Sequence, residues 1–173
     1  MQNEHHKRTM TPDAALQRLM AMCSRKEMSE GDALRKLSLW GVDPEHHKEI
    51  LETLRKHNFV DNLRFARAFA SDKAKFNKWG PRKIAMALQM HHITQEAIKE
   101  VLSDTTANQP PEILEQLLIH KAKTIKANNS QDFKAKIIRF GLSRGFLYEE
   151  IKVALKKVTV NREFGENADI EPD

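Results

Sequence analysis

Apolar side chains recur along this chain at the three- and four-residue spacing that places them on one face of an α-helix. Pro12 stands just before the first stripe, at a position where proline favours a helix start. The members of that stripe are Leu16, Leu19, Met20 and Cys23. Runs of β-branched residues are nearly absent, and 158–160 is the one short stretch that resembles a strand. The pattern therefore predicts an all-α protein.

Two further helices are predicted in the first third of the chain. Ser29 and Asp32 have the spacing of an N-terminal capping box, with Asp in place of the usual Glu, and Gly41 suits the left-handed end of that helix. Asp43 and Pro44 have the chemistry of an N-cap and a first helical residue, so they predict a third helix. The apolar faces of these helices contain Ala33, Leu34, Leu37, Trp40, Ile50, Leu51 and Leu54.

The same succession of three helices starts twice more. In the middle of the chain, the predicted helix starts are Asp61, Gly80–Pro81 and Thr94. In the last third, they are Pro111, Asp132 and the residues that follow Gly145. A polar link is predicted from Ser103 to Pro110.

The three rounds share one register. Gly41, His92 and Gly145 each fall at the turn between the second and third helices, at spacings of 51 and 53 residues. An apolar residue follows each of them, and another precedes each by eight positions. Because each round has only three short helices, neighbouring rounds must share buried surface to be stable. The register therefore predicts an elongated array of three tandem three-helix, helix-turn-helix-like repeats.

These observations give predicted domain boundaries. Residues 1–11 are a polar segment that is predicted to be disordered, and the repeats are predicted at 12–59, 60–103 and 110–157. Residues 158–173 contain one base and five acids and are predicted to form a flexible acidic tail.

The positive charge is concentrated in the predicted repeats. The formal net charge of the 173 residues is +5, and the acidic tail contributes −4, so the remainder carries +9. A body this basic favours a polyanionic partner or an acidic protein surface. A charged surface that only keeps the protein soluble is the alternative, and charge alone does not separate the two.

The sequence lacks the residue patterns of disulfides, metal sites and common catalytic motifs. Cys23 is the only cysteine, which excludes an internal disulfide and a Cys-rich metal site. Three His doublets, His5–His6, His46–His47 and His91–His92, supply no paired ligands because adjacent helical residues point about 100° apart. There is no Gly-x-Ser-x-Gly elbow and no Gly-rich phosphate loop. We therefore predict a protein that is not an enzyme and has no metal and no cofactor.

The chain has no sequence signal for a membrane or for secretion. No stretch approaches the ~20 apolar residues of a membrane span, and the N-terminus lacks the apolar segment of a secretory signal. We therefore expect a reduced intracellular compartment, the cytoplasm, and no membrane partner.

Basic residues recur on the second and third repeats and form the candidate binding site. Arg82 and Lys83 stand at a predicted helix start, where cations oppose the helix dipole. A solvated helix face is the alternative explanation for the whole set. Trp79 flanks the same turn, where an aromatic ring more often packs the joint than anchors a partner. The candidate residues are Arg64, Arg67, Lys73, Lys75, Arg82, Lys83, Arg139 and Arg144.

The middle repeat resembles a known family. Its segment Asp61–Phe69, followed by Trp79–Ile84 and Leu88, is similar to the middle repeat of the RecX regulatory proteins, whose pattern is roughly Asp-Asp-x-Arg-Phe-Ala and then Gly-Pro-x-x-Ile. The third repeat also resembles the family, and the first does so more loosely, so the resemblance covers about residues 13–157. The departures are Asn62 for a second Asp, Lys73 for an Arg, His91–His92 for Lys-Gly, Gly141 for a Leu, and Leu147 for a polar cap.

The resemblance implies a non-enzymatic modulator of the RecA recombinase that functions in DNA repair, recombination and the SOS response. Members of the family bind the RecA filament on single-stranded DNA and most often inhibit its ATPase, strand exchange and coprotease activities. Some also bind DNA weakly. The implied partner is the filament, bound by a monomer, and the implied contacts are the candidate residues above. The alternatives are a direct nucleic-acid-binding protein without a recombinase partner and a scaffold for acidic proteins.

Overall fold

The computed structural model of the chain describes the backbone of residues 9–107 and 111–166, and the side chains of 9–104 and 111–158. Every regular element in those ranges is a helix, which confirms the predicted all-α class. A short 3₁₀ turn, Pro44–His46, precedes the third α-helix. The α-helices are α1 Pro12–Cys23, α2 Glu30–Leu39, α3 His47–Lys56, α4 Asn62–Lys75, α5 Pro81–Met90, α6 Gln95–Ala107, α7 Pro111–Ala122, α8 Ser130–Ser143 and α9 Tyr148–Glu166.

Side-chain caps begin the helices largely where the sequence predicts them. The Ser29 hydroxyl accepts the Asp32 backbone N–H at 3.0 Å, and Asp61 Oδ1 accepts the N–H groups of Leu63 and Arg64 at 2.9 Å. Such caps satisfy backbone donors that have no partner inside the helix. The predicted starts of α2 and α4 are therefore confirmed.

The three registered turns share one backbone geometry. The residues Gly41, His92 and Gly145 have left-handed φ angles of 69°, 59° and 89°. At each turn, the next residue donates its N–H to the carbonyl oxygen five positions back, as Val42 does to Leu37 at 3.0 Å. This is the Schellman arrangement that closes a helix C-terminus. The left-handed helix end predicted at Gly41 and the helix end predicted at Gly145 are confirmed, and His92 adopts the same left-handed conformation without being a glycine.

One predicted cap is wrong. Asn129, not Asp132, caps α8, because the Asn129 side chain accepts the Asp132 N–H at 2.8 Å. Asp132 lies in the first turn, where its Oδ2 accepts the Asn128 N–H at 3.0 Å and binds Lys136 Nζ at 2.8 Å. Both side chains are competent caps, and the extended backbone at Asn129 (φ −160°) decides between them.

Three segments predicted to be irregular are ordered in part. The helix α6 continues to Ala107, past the predicted start of the polar link at Ser103. The helix α9 continues through 158–160 to Glu166, so that stretch is neither a strand nor a tail. The Met10 N–H donates to the Trp40 carbonyl oxygen at 3.0 Å, so 9–11 lie against the first repeat. The rest of the predicted N-terminal segment, 1–8, and of the acidic tail, 167–173, lies outside the described residues.

The chain divides into two compact units. Unit 1 comprises the described residues up to Phe69 together with Ala87–Val101, and unit 2 comprises Ala70–Met86 together with the described residues from Leu102 onward. The predicted three-repeat boundaries stay a prediction.

Unit 1 has an apolar core formed by α1, α2 and α3. Leu19, Leu37 and Leu54 are fully buried in it, and Trp40 packs partly buried against it. Cys23 is half-buried beside the same core, and burial raises the pKa of its thiol. A raised pKa keeps the thiol protonated at neutral pH, which suits a side chain on the apolar face of α1.

Unit 2 has a second core, in which α9 packs against α7 and α8. Leu118, Ile137 and Ile151 are fully buried, and Val158 is 2% exposed. A Cβ atom at Gly141 would lie 2.7 Å from the Ile151 side chain. The glycine at 141 therefore lets α8 and α9 approach closely.

Candidate partner-binding surface

The loop between α4 and α5 turns sharply at Lys78, which has a left-handed φ of 53°. The turn allows the Trp79 N–H to donate to the Lys73 carbonyl oxygen at 3.1 Å. Pro81 then begins α5, in a first-turn position where a missing N–H costs little. The loop therefore holds the half-buried Trp79 between the end of one helix and the start of the next.

This loop is bound to the turn between α8 and α9. The Gly80 N–H donates to the Arg144 carbonyl oxygen at 2.7 Å, and the Arg82 N–H donates to the Gly145 carbonyl oxygen at 3.0 Å. A Cβ atom at Gly80 would lie 2.5 Å from the backbone of Gly145. The Gly-Pro pair therefore does more than interrupt two helices, because its glycine permits the direct contact between the two turns.

Two lysines lie over the Trp79 ring. The Nζ atom of Lys83 is 4.7 Å from the ring centroid and that of Lys73 is 5.1 Å away. The Lys83 Nζ also donates to the Ser143 carbonyl oxygen at 3.4 Å. Each cation–π contact contributes about 0.5–1 kcal/mol at an exposed site. The predicted packing role of Trp79 thus includes holding two cations at a defined place.

Arg82 and Arg144 complete the cationic cluster. The Arg144 guanidinium donates to the Asn77 carbonyl oxygen at 3.4 Å and lies 5.2 Å from the Phe140 ring centroid. Arg82 is exposed in the first turn of α5, and its guanidinium forms no ion pair or hydrogen bond with the described residues. A cation at that position is disfavoured by the helix dipole, so local stability does not explain it. We name the cluster of Lys73, Trp79, Arg82, Lys83 and Arg144 the Trp79 surface.

A basic groove lies between α7 and α8 in the same unit. It has a volume of about 430 Å³, and Phe140 forms part of its wall. Lys136 Nζ binds both Asp132 and the Lys126 carbonyl oxygen at 2.8 Å. The hydrogen bonds that Asp132 accepts from Lys136 and from the Asn128 N–H lower the pKa of its carboxyl. Arg139 has no such partner among the described residues. The cations that line this α7–α8 groove are Lys121, Lys126, Lys136 and Arg139.

The remaining predicted residues have other partners. Arg64, in unit 1, bonds Glu27 at 2.7 Å and the Asn58 carbonyl oxygen at 3.0 Å. Arg67 bonds Glu100 at 2.6 Å. In unit 2, the Lys75 Nζ lies 5.3 Å from the ring of its neighbour Phe76. The charges of Arg64 and Arg67 are thus compensated within the protein, whereas the Arg82 guanidinium has no ion-pair partner among the described residues.

The middle of the chain matches a protein-family model. Residues 61–102 match the model for the second three-helix domain of RecX. A regulatory protein RecX of Clostridium botulinum strain Alaska E43 is 30% identical over 142 residues, which cover 81% of this chain and 66% of that protein. The one of Neisseria meningitidis serogroup B is 29% identical over 150 residues, covering 85% and 93%. The chain belongs to the RecX family.

The members of the RecX family differ in length. The chain spans about half of the Leuconostoc mesenteroides protein, which is 27% identical over 135 residues covering 78% of this chain and 49% of that one. Two solved structures share the fold. RecX from Lactobacillus salivarius has a TM-score of 0.75 at 16% identity, covering 86% of this chain and 97% of that one. A second regulatory protein RecX has a TM-score of 0.76 at 19% identity, covering 84% and 71%.

The segment that matches the RecX model contains the Trp79 loop. Two departures from the family pattern are explained by local contacts. The Asn62 Oδ1 accepts the Glu30 N–H at 2.9 Å, which an aspartate oxygen could do equally. Gly141 makes room for Ile151, as described above.

The sequence prediction missed part of the basic surface. Lys121 and Lys126 line the α7–α8 groove but were not among the candidate residues. The run of bases Lys121, Lys123 and Lys126 at the end of a helix was the available signal. Within the described residues, no group of three His, Cys, Asp or Glu side chains could hold a metal ion. No helix among them is long and apolar enough to cross a bilayer.

Proposed function

We propose that this protein binds the filament that a RecA-type recombinase forms on single-stranded DNA and lowers the activity of that filament. The observation that carries the proposal is the Trp79 surface, which gathers four cations, all but Arg144 in the segment that matches the RecX model. The filament presents acidic protein side chains and a phosphate backbone, and either can pair with Lys and Arg. Inhibition of the ATPase, of strand exchange and of coprotease activity is the expected result of such binding.

Membership of the RecX family and the fold support this proposal, as does the choice of cations. Arg82 and Arg139 project from two different helices of unit 2, and neither guanidinium is engaged with the described residues. A cation without an intramolecular partner needs no bond to be broken before it binds an anion. We propose that the protein acts as a monomer in the cytoplasm, where the recombinase and the DNA are located.

The direct test is the single-stranded-DNA-dependent ATPase of the cognate RecA. A substoichiometric amount of this protein is expected to suppress it strongly, since one molecule bound to a filament affects many protomers. Unchanged ATPase, together with no co-sedimentation with the filament, would remove the recombinase from the proposal.

One cation of the Trp79 surface and one of the α7–α8 groove are tested by a double charge reversal, Arg82→Glu with Arg139→Glu. Reversal of two contacting charges is expected to weaken filament binding by about tenfold or more. The matched control is Lys56→Glu with Lys99→Glu, which makes the same change of net charge at exposed lysines of unit 1 that form no ion pair with the described residues. Equal loss in both double variants would show that net charge, rather than these two positions, determines binding.

Direct nucleic-acid binding is a second candidate function, and the α7–α8 groove favours it. Four cations line the groove, and only Lys136 is paired with a carboxylate among the described residues. Binding to an oligothymidylate without recombinase should then be tight and should weaken steeply with salt, because phosphate contacts release counterions. Weak binding to the oligonucleotide beside tight binding to the filament would favour the recombinase.

A further inference from the structure

Unit 1 contains a groove that lies at the same place in its repeat as the α7–α8 groove. It has a volume of about 490 Å³ and lies beside α2, as the other lies beside α8. The α2 residues that line it are Asp32, Arg35, Lys36 and Leu39. The α8 residues that line the other are Lys136, Arg139, Phe140 and Ser143, each 104 positions later. The two grooves are therefore equivalent in the repeat register.

The two equivalent grooves differ in chemistry. The one in unit 1, which we name the α2 groove, has large apolar side chains in its wall. Phe65 is buried and stacks against Phe69 with ring centroids 5.7 Å apart, and the His91 ring lies 5.0 Å from Phe65. Leu39 borders this aromatic wall and is 74% exposed. A volume of this size falls within the range of roughly 300–1,000 Å³ typical of ligand sites.

The charges that border the α2 groove are unbalanced. Its two carboxylates are already paired, Glu27 with Arg64 at 2.7 Å, and Asp32 with Arg35 and with His91 Nδ1. Lys26 and Lys36 also line the groove, and neither forms an ion pair with the described residues. A ligand that covers the apolar wall therefore meets uncompensated positive charge at its edges, which complements an acidic ligand.

One polar atom of the groove lining lacks a partner. The Glu27 Oε2 is buried and accepts no hydrogen bond from the described residues. Buried polar atoms in folded proteins are nearly always hydrogen-bonded. Because this atom is buried beneath the groove surface, a ligand in the groove does not reach it, and the choice of ligand depends on the apolar wall and the lysines.

We propose that the α2 groove binds an acidic segment of a partner protein, which inserts one large apolar side chain against Phe69 and Leu39 and places carboxylates near Lys26 and Lys36. The apolar wall carries this choice over nucleic acid, and the unpaired lysines carry the choice of an acidic segment. We take the partner protein to be the recombinase, and this part of the proposal rests on the proposed function.

The first experiment uses synthetic peptides and isotope-labelled full-length protein in an NMR titration. The probe is a short Glu-rich peptide with one central Phe, and the matched peptides replace that Phe with Ala or the Glu residues with Lys. Backbone shifts are expected at Lys36, Leu39 and Phe69, with about tenfold weaker binding for either matched peptide. No shifts at these residues with millimolar probe, or equal shifts with all three peptides, would overturn the proposal. Larger shifts there with oligothymidylate would also overturn it.

The second experiment measures binding to the recombinase filament. Leu39→Glu is expected to weaken binding about tenfold, since hot-spot anchors carry a large share of affinity. The control, Val153→Glu, places the same charge at a 62% exposed residue of α9 and should bind like the wild type. Because both side chains are exposed, circular dichroism should show both variants folded.

The outcomes separate this proposal from the proposed function. If the wild type binds the Phe peptide at the α2 groove but not the filament, the recombinase proposal fails and the groove proposal stands. If the wild type binds the filament, Leu39→Glu binds equally well, and no peptide shifts appear, the groove proposal alone fails.

Discussion

Gly80 and Gly145 lie so close that a Cβ atom on the first would be 2.5 Å from the carbonyl carbon and oxygen of the second. The contact joins the start of α5 to the turn before α9. In unit 1, the equivalent relation joins Gly31 at the start of α2 to the turn before α6, where a Cβ atom would lie 2.7 Å from the His91 carbonyl oxygen. The same contact therefore occurs twice. The start of α2 packs on the turn that ends α5, and the start of α5 packs on the turn that ends α8.

The first prediction concerns this contact. Gly80→Ala should lower the free energy of unfolding by about 2–3 kcal/mol, because backbone atoms on both sides must move to admit the methyl group. Gly41→Ala is the control. Gly41 has a left-handed φ of 69°, but its Cβ would meet nothing nearer than 3.4 Å, so only backbone strain of about 1 kcal/mol is expected. Urea unfolding followed by circular dichroism measures both, and equal losses would contradict the steric explanation.

His92 is the one registered turn residue that is not a glycine, and it has a φ of 59°. Replacement by glycine, His92→Gly, removes the steric penalty of the left-handed conformation and should stabilise the protein by about 0.5–1 kcal/mol. Gln89→Gly, in the last turn of the same helix, should instead destabilise it by about 0.5–1 kcal/mol, because glycine is a poor helix former there. A loss of stability in His92→Gly would mean that the imidazole contributes more than the strain costs.

Arg64 and Arg82 should separate stability from binding. Arg64→Ala removes the ion pair to Glu27 and the bond to the Asn58 carbonyl oxygen, so it should cost about 0.5–1.5 kcal/mol of stability. Filament binding should hardly change. Arg82→Ala should weaken filament binding several-fold and leave the unfolding midpoint unchanged, since its guanidinium has no partner among the described residues. The opposite assignment would show that the ion-paired arginine is the contact.

The pKa of Asp132 predicts a pH dependence of stability. The hydrogen bond from Lys136 and then that from the Asn128 N–H lower the pKa of this carboxyl below its ordinary value of 3.8. Its ionised form therefore stabilises the fold above that pH, and the contribution is lost as the pH falls through the lowered pKa. Asp132→Asn should lower the melting temperature at pH 7 and make no difference at the acid end of the range. Asp72→Asn, on an exposed residue, should match the wild type at both pH values.

Sequence patterns identified the helix ends better than the contacts between helices. Glycine at 41 and at 145 signals a left-handed turn directly, and His92 was found only because the repeat register pointed to it. The prediction of Asp132 as the cap of α8 failed because Asn129, three positions earlier, is an equally good acceptor, and only the backbone conformation distinguishes the two.

The sequence predicted which residue types form the candidate site, but not which of those side chains lack an ion-pair partner inside the protein. Arg64 and Arg82 are alike in the sequence, yet Arg64 is paired with Glu27, which lies 37 positions away. Ion pairs between distant positions leave no local signal in a single sequence. The convergence of Lys73 and Lys83 on Trp79 depends on the turn at Lys78, a left-handed residue that no glycine marks.

The last prediction concerns the stretch of α9 that resembled a tail. Val158 is the first residue of the predicted tail, yet it is 2% exposed and belongs to the core of unit 2, whereas Val153 on the same helix is 62% exposed. Val158→Ala should therefore destabilise the protein by about 1–2 kcal/mol, from lost burial and the small cavity that remains. Val153→Ala should be neutral or slightly stabilising, because alanine is the better helix former. Unfolding in guanidinium measures the midpoint of both variants, which carry the same Val→Ala change at a buried and at an exposed position. Equal midpoints would show that Val158 is not part of the core.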